Sequence, residues 1–98
     1  MLIMDALFKP PFRKFVKKQN RAFQLVIEDE AEKIRDDPTV GEAKKGDLSG
    51  FLVHKFIFQK QEYLMAYKSA KNNIIYYIVD THENFYRELK RYIKEVEG

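Results

Sequence analysis

Between residues 51 and 79 the chain has little choice but to double back on itself twice. Three runs rich in aromatic and β-branched residues, 51–58, 62–69 and 74–79, are separated only by Gln59-Lys60-Gln61 and by Lys71-Asn72-Asn73. Connections this short join antiparallel neighbours and leave no room for the crossover that a parallel pair needs. The asparagines tolerate the left-handed backbone of a tight turn. The third run is almost wholly apolar, which predicts a central and well-buried strand.

The flanking segments complete the fold class. Residues 3–8 predict a short first strand, closed by Pro10-Pro11, where extended geometry is enforced ahead of a helix start. Phe12, Phe15 and Val16 recur at helical spacing, so a basic helix is expected over residues 11–18. Asn20 suits the N-cap of a second helix, whose apolar stripe is Phe23, Val26, Ile27, Ala31 and Ile34. That helix should stop near Asp36-Asp37-Pro38, because a residue before proline avoids helical geometry. Residues 39–50 hold Gly41, Gly46 and Gly50 and read as a loop. The last helix starts at Asp80 or Thr81, either of which can cap it, and Glu83 can complete a capping box with Asp80. Its core stripe is Phe85, Leu89, Tyr92, Ile93 and Val96. The expectation is one α+β domain over residues 1–98: a short N-terminal strand, two helices, a three-stranded antiparallel meander and a C-terminal helix. The helices are expected largely on one face of the sheet.

Composition narrows the function classes. The 98 residues contain no cysteine, so neither a disulfide framework nor a thiolate metal site is available. Residues 1–7 include Asp5 and lack a basic start and a long apolar run, so they do not read as a signal peptide. No stretch approaches the roughly 18 apolar residues of a membrane span. A soluble cytoplasmic protein is expected. The net charge of +3 is segregated: residues 1–21 carry six basic side chains against Asp5, and residues 22–40 carry six acidic ones against Lys33 and Arg35. Segregation of this kind suits a polyanionic partner on one face.

The chemistry gathers where the third strand gives way to the last helix, in Asp80-Thr81-His82-Glu83-Asn84-Phe85-Tyr86. This junction brings an imidazole, carboxylates, an amide and a phenol to the rim of a sheet, with Arg87, Lys90 and Arg91 just beyond. Histidine titrates near neutrality and suits acid or base work. Tyr86 lies four residues after His82 and shares its helix face. The second histidine, His54, alternates with Leu52, Phe56 and Phe58, and both faces of that strand are partly apolar, so it reaches either the cleft or the core. Lys45, Lys55, Arg87, Lys90 and Arg91 are candidates to hold phosphate, whereas Lys44 and Lys68 read as solvated surface residues. No Gly-rich phosphate loop, metal-ligand constellation or serine elbow is visible, so no metal and no cofactor is expected.

In element order and length the chain resembles the RelE/ParE superfamily of toxins from bacterial type II toxin–antitoxin pairs. Two stretches carry the resemblance. The first is Lys45-Gly46-Asp47-Leu48-Ser49-Gly50-Phe51-Leu52-Val53-His54-Lys55-Phe56 followed by Tyr63-Leu64-Met65-Ala66-Tyr67. The second is His82-Glu83-Asn84-Phe85-Tyr86-Arg87. The chain departs from the ribonuclease pattern where two basic residues of the first meander strand fall on Leu52 and His54. It departs again where an arginine of the second falls on Leu64, and no arginine lies within residues 80–84.

The resemblance implies a metal-independent endoribonuclease that cleaves mRNA on the ribosome and is neutralised by a cognate antitoxin. His82 would then be the general acid, Tyr86 a stacking or acid–base partner, and His54 the base. Lys55, Arg87 and Lys90 would steady the phosphate, with Lys45 and Arg91 beside them. The resemblance leaves open a member of the same fold that acts by binding protein, either a ParE-like inhibitor of DNA gyrase or a toxin that has lost its activity. The basic first helix, the apolar groove beside it and the terminal helix are the expected docking surfaces for the antitoxin.

Overall fold

The computed structural model describes residues 5–96; Ile3 and Met4, which open the expected first strand, lie outside them. The elements are β1 (Asp5–Phe8), α1 (Pro10–Lys17), α2 (Arg21–Asp36), β2 (Glu42–Ala43), β3 (Leu52–Phe58), β4 (Gln61–Ser69), β5 (Asn73–Thr81) and α3 (His82–Val96). The sheet runs β1-β5-β4-β3-β2, with β1 parallel to β5 and the other pairs antiparallel. The meander is as expected. Its first connection is a two-residue loop, Gln59 and Lys60, both left-handed (φ 49° and 68°). That conformation matches the twist of the strands it joins.

The sheet is covered on both faces, not largely on one. Phe12 of α1 and Phe23, Ile27, Ala31 and Ile34 of α2 pack against Phe56, Met65, Tyr67, Ile74, Tyr76 and Val79. On the opposite face Phe85 and Leu89 of α3, with Leu48 and Phe51 of the loop, cover Val53, Leu64, Ala66, Tyr77 and Ile78. The apolar run of β5 is the sequence record of this double burial. A shift of register sharpens it: Ala66 opposes Ile78 while Tyr67 opposes Tyr76, so Tyr77 is the extra residue of a β-bulge. The bulge turns Tyr77 and Ile78 to the same face and returns Val79 to the other.

Two boundaries differ from expectation. Asp80 and Thr81, expected as helix caps, are the last residues of β5, because β4 extends far enough to pair Leu64 with Asp80 and Tyr63 with Thr81. The side chain of Asp80 serves the strand end, its Oδ1 accepting from the Thr81 N–H at 2.7 Å. Within the expected loop, β2 pairs Glu42 with Val53 and Ala43 with Leu52. A two-residue strand has too little sequence to show alternation. The Asn20 cap is as expected, accepting from the Phe23 N–H at 2.9 Å.

Two buried tyrosines fasten the helical side to the sheet. The Tyr76 hydroxyl donates to the Ala31 carbonyl at 2.6 Å. The Tyr67 hydroxyl donates to the Pro38 carbonyl at 2.6 Å and accepts from the Gly41 N–H at 2.9 Å. Gly41 is required there, since a Cβ would stand 2.5 Å from that hydroxyl. Among the described residues no helix is long and apolar enough to cross a membrane.

Candidate functional site

A cleft of about 490 Å³ opens on the α3 side of the sheet, lined by Glu42, Lys44, Lys55, Glu62, His82 and Tyr86 with Val40, Leu64 and the Val53-His54 stretch of β3. Its origin is topological. β2 pairs with β3 only at Leu52 and Val53, so the rest of β3 is left as an edge. Alternation along the strands turns Val53 and Lys55 to this side, and Glu62 and Leu64 with them. The first residue of α3 is His82, and Tyr86 stands one turn later on the same helix face.

His82 Nδ1 lies 3.1 Å from Glu62 Oε1, and the imidazole side chain is 58% exposed. A carboxylate at Nδ1 favours the tautomer with the proton there and leaves Nε2 as the atom that exchanges protons. The Tyr86 ring meets His82 edge-on, centroids 6.4 Å apart. Lys44 crosses to the same ring, its Nζ 5.5 Å from the centroid, while holding Glu42 Oε1 at 2.6 Å. Hydrogen bonding to Glu42 and then to Tyr86 holds the Lys44 ammonium above the ordinary lysine range. The same bond from Lys44, aided by the charge of Lys55, holds Glu42 below the ordinary carboxylate range. The cleft therefore offers one exposed imidazole, a phenol, two ammonium groups and two carboxylates.

The residues singled out in the sequence part company here. His82, Tyr86 and Lys55 come together. His54 lines the cleft along β3 but turns its imidazole away from them: its Nε2 is 2.7 Å from Glu30 Oε1 on α2, and its ring stacks toward Phe56 on the opposite face. Arg87 donates to Asn84 Oδ1 at 2.8 Å and leans on Glu88. Arg91 is bonded to Glu88 at 2.6 Å and lines a separate groove between α1 and α3. Lys90 is exposed two turns after His82, and Lys45 is exposed at the loop's 3-10 turn. Tyr67 is fully buried. Sequence reasoning missed Glu42, Lys44 and Glu62. Glu62 carried a usable signal, because the hairpin register sets it opposite Ile57 at the mouth of the cleft.

Among the described residues no cluster of three or more His, Asp and Glu side chains forms a metal-binding group. A family model described as the ParE-like toxin of type II bacterial toxin–antitoxin system matches residues 7–90. The fold is similar to a chain in the toxin–antitoxin complex RelBE2 from Mycobacterium tuberculosis, with a TM-score of 0.67 and 18% identity over 83% of this chain and 100% of that one. It is also similar to the conserved hypothetical protein HP0894 from Helicobacter pylori, with a TM-score of 0.54 and 17% identity over 82% of this chain and 96% of that one. No curated protein matches the chain significantly in sequence.

Proposed function

We propose, from the premise that this chain belongs to the ParE-like toxins of type II bacterial toxin–antitoxin systems, that it acts as one domain to cleave mRNA on the ribosome and block translation. A cognate antitoxin neutralises it. The observation that carries this reading is the Glu62–His82 pair beside Tyr86, in a cleft that Lys44 and Lys55 also line. A domain of this size offers little surface with which to hold and bend a free RNA, and a ribosome presents the strand already extended.

In this reading the 2′-oxygen of a ribose bonds to phosphorus and gives its proton to the Glu62 carboxylate, while the 5′-oxygen departs and takes the Nε2 proton of His82, which enters the step as the doubly protonated imidazolium and leaves it with its proton on Nδ1. Lys44 and Lys55 face the charge that develops on the phosphorane. Tyr86 stacks on the neighbouring base or bonds to its phosphate, and Arg87 and Lys90 extend the contact along α3. His54, bound to Glu30, has a positioning role through β3 and not that of the base.

A second reading draws on one observation: Glu42 and Glu62 offset Lys44 and Lys55, so the cleft is less positive than a phosphate-binding site usually is. That balance favours a toxin acting by protein contact, as a ParE-like inhibitor of DNA gyrase does. Pulse-labelling of translation and DNA synthesis after induction of the chain alone separates the two. A translation block within minutes, abolished by His82→Ala in a folded protein, supports cleavage. Undiminished arrest by His82→Ala removes the histidine from the site, and DNA breaks with translation intact select the gyrase reading.

A further inference from the structure

Lys9 and Lys68 stand apart from the other buried or half-buried cations. Lys44 and Arg35, the other half-buried ones, each hold a carboxylate within 4 Å. Lys68 instead lies over two rings, its Nζ 4.5 Å from the Phe51 centroid and 5.4 Å from that of Tyr77. Lys9 approaches the same Tyr77 ring at 5.6 Å. Among the described residues neither ammonium has a carboxylate partner. Both side chains are half-buried. The π-face attracts a cation but does not neutralise it, so two positive charges converge on one aromatic platform.

The platform is continuous with the cleft. Leu64 and Ala66 are packed beneath α3 on this face, and Lys68 follows them in the alternation of β4, about 13 Å beyond Leu64. The loop from Lys44, in the cleft, to Phe51, under Lys68, runs between the two places and carries the exposed Lys45. The acidic residues of α2 belong to the helix on the opposite face. A strand of regularly spaced phosphates, laid from the cleft along the loop, would meet Lys44, Lys45 and Lys68 in turn and end at Lys9.

We infer that Lys9 and Lys68, set on Phe51 and Tyr77, form a second phosphate subsite that holds single-stranded RNA beyond the cleft; this rests on the RNA reading of the cleft. The test is salt-dependent binding of fluorescein-labelled 2′-O-methyl decauridine, which lacks the hydroxyl needed for cleavage. Each phosphate contact on a single strand contributes about −0.7 to the slope of log K against log salt. Lys9→Gln/Lys68→Gln should therefore flatten the slope by about 1.4, each single variant by about 0.7 and Lys33→Gln, exposed on α2, by nothing, while Lys9→Arg/Lys68→Arg restores it. A slope unchanged in both single variants and in the double one overturns the subsite, as does a decamer that the native protein fails to bind. Translation left intact in cells, together with the flattened slope, would remove the nuclease and leave the subsite standing.

Discussion

On one face of the sheet a histidine meets a glutamate at 2.7 Å, with side chains 15% and 13% exposed; on the other a second such pair meets at 3.1 Å, 58% and 35% exposed. His54–Glu30 ties a strand to α2, and Glu30 also takes Lys33 at 2.7 Å, so both its carboxylate oxygens are engaged within the fold. His82–Glu62 joins the start of α3 to the start of β4 and leaves the imidazole facing an open cleft. The same two side chains are a brace in one place and, in the proposed reading, a proton-transfer pair in the other. What separates them is whether a helix covers the strand at that point.

The sharpest way to break the comparison is to delete each imidazole. His82→Ala should lower the rate of RNA cleavage by about 10²–10⁴-fold, the usual worth of a positioned acid or base. It should leave stability within about 0.5 kcal/mol, as expected of an exposed side chain. His54→Ala should do the reverse. It strips a half-buried carboxylate of a short hydrogen bond, at a cost of about 2 kcal/mol, which for a domain of this size lowers Tm by about 10 °C. Thermal melts and a translation assay on the same two proteins suffice. A His54→Ala protein that melts like wild type but no longer blocks translation would make His54 the chemical group and reverse the assignment.

His54 marks the limit of what the sequence could say. Alternation along β3 put it with Leu52, Phe56 and Phe58, and that was correct, but no pattern said which face α2 would cover. The hairpins, the stripes of α2 and α3 and the Asn20 cap were legible because each is a local signal with its own period or turn chemistry. The second layer was not, since an apolar β5 implies two covered faces without naming the covers. The bulge at Tyr77 disturbs the period further. In the cleft, His82 and Tyr86 were legible from their i, i+4 spacing. Glu42 and Lys44 were not, because they reach the site only through the two-residue β2, anchored by Tyr67 from 26 positions away.

That anchor offers a smaller test of how the cleft side depends on the buried side. Tyr67→Phe removes the hydroxyl shared by Pro38 and Gly41 and should cost about 1 kcal/mol. Its mark is expected on the cleft as well as on the melt. With the 38–41 turn loosened, Glu42 and Lys44 lose their fixed place beside Tyr86, so activity should fall severalfold more than the stability loss explains. Activity equal to wild type at a temperature where both proteins are folded would mean that β2 holds itself in place.

The smallest effect, and the most specific to the pairs themselves, is in the response to acid. Burial pushes the Glu30 carboxyl up, but hydrogen bonds from Lys33 and His54 outweigh it and leave the group below the ordinary glutamate value. A carboxyl depressed by folding contributes stability in full above its unfolded value, about pH 4.3, and loses it as pH falls through the lower folded value. Glu30→Gln should therefore be less stable than wild type at neutral pH by an amount that stays constant down to about pH 5. The two curves should then converge as the pH falls below the unfolded glutamate value. Glu62→Gln, from the exposed pair, should run within about 0.2–1 kcal/mol of wild type throughout, because solvent already screens that contact. Tm measured from pH 3 to 7 on the three proteins decides it. Convergence in the Glu62 variant with parallel curves in the Glu30 variant would mean that the brace and the proton-transfer pair had been assigned to the wrong faces.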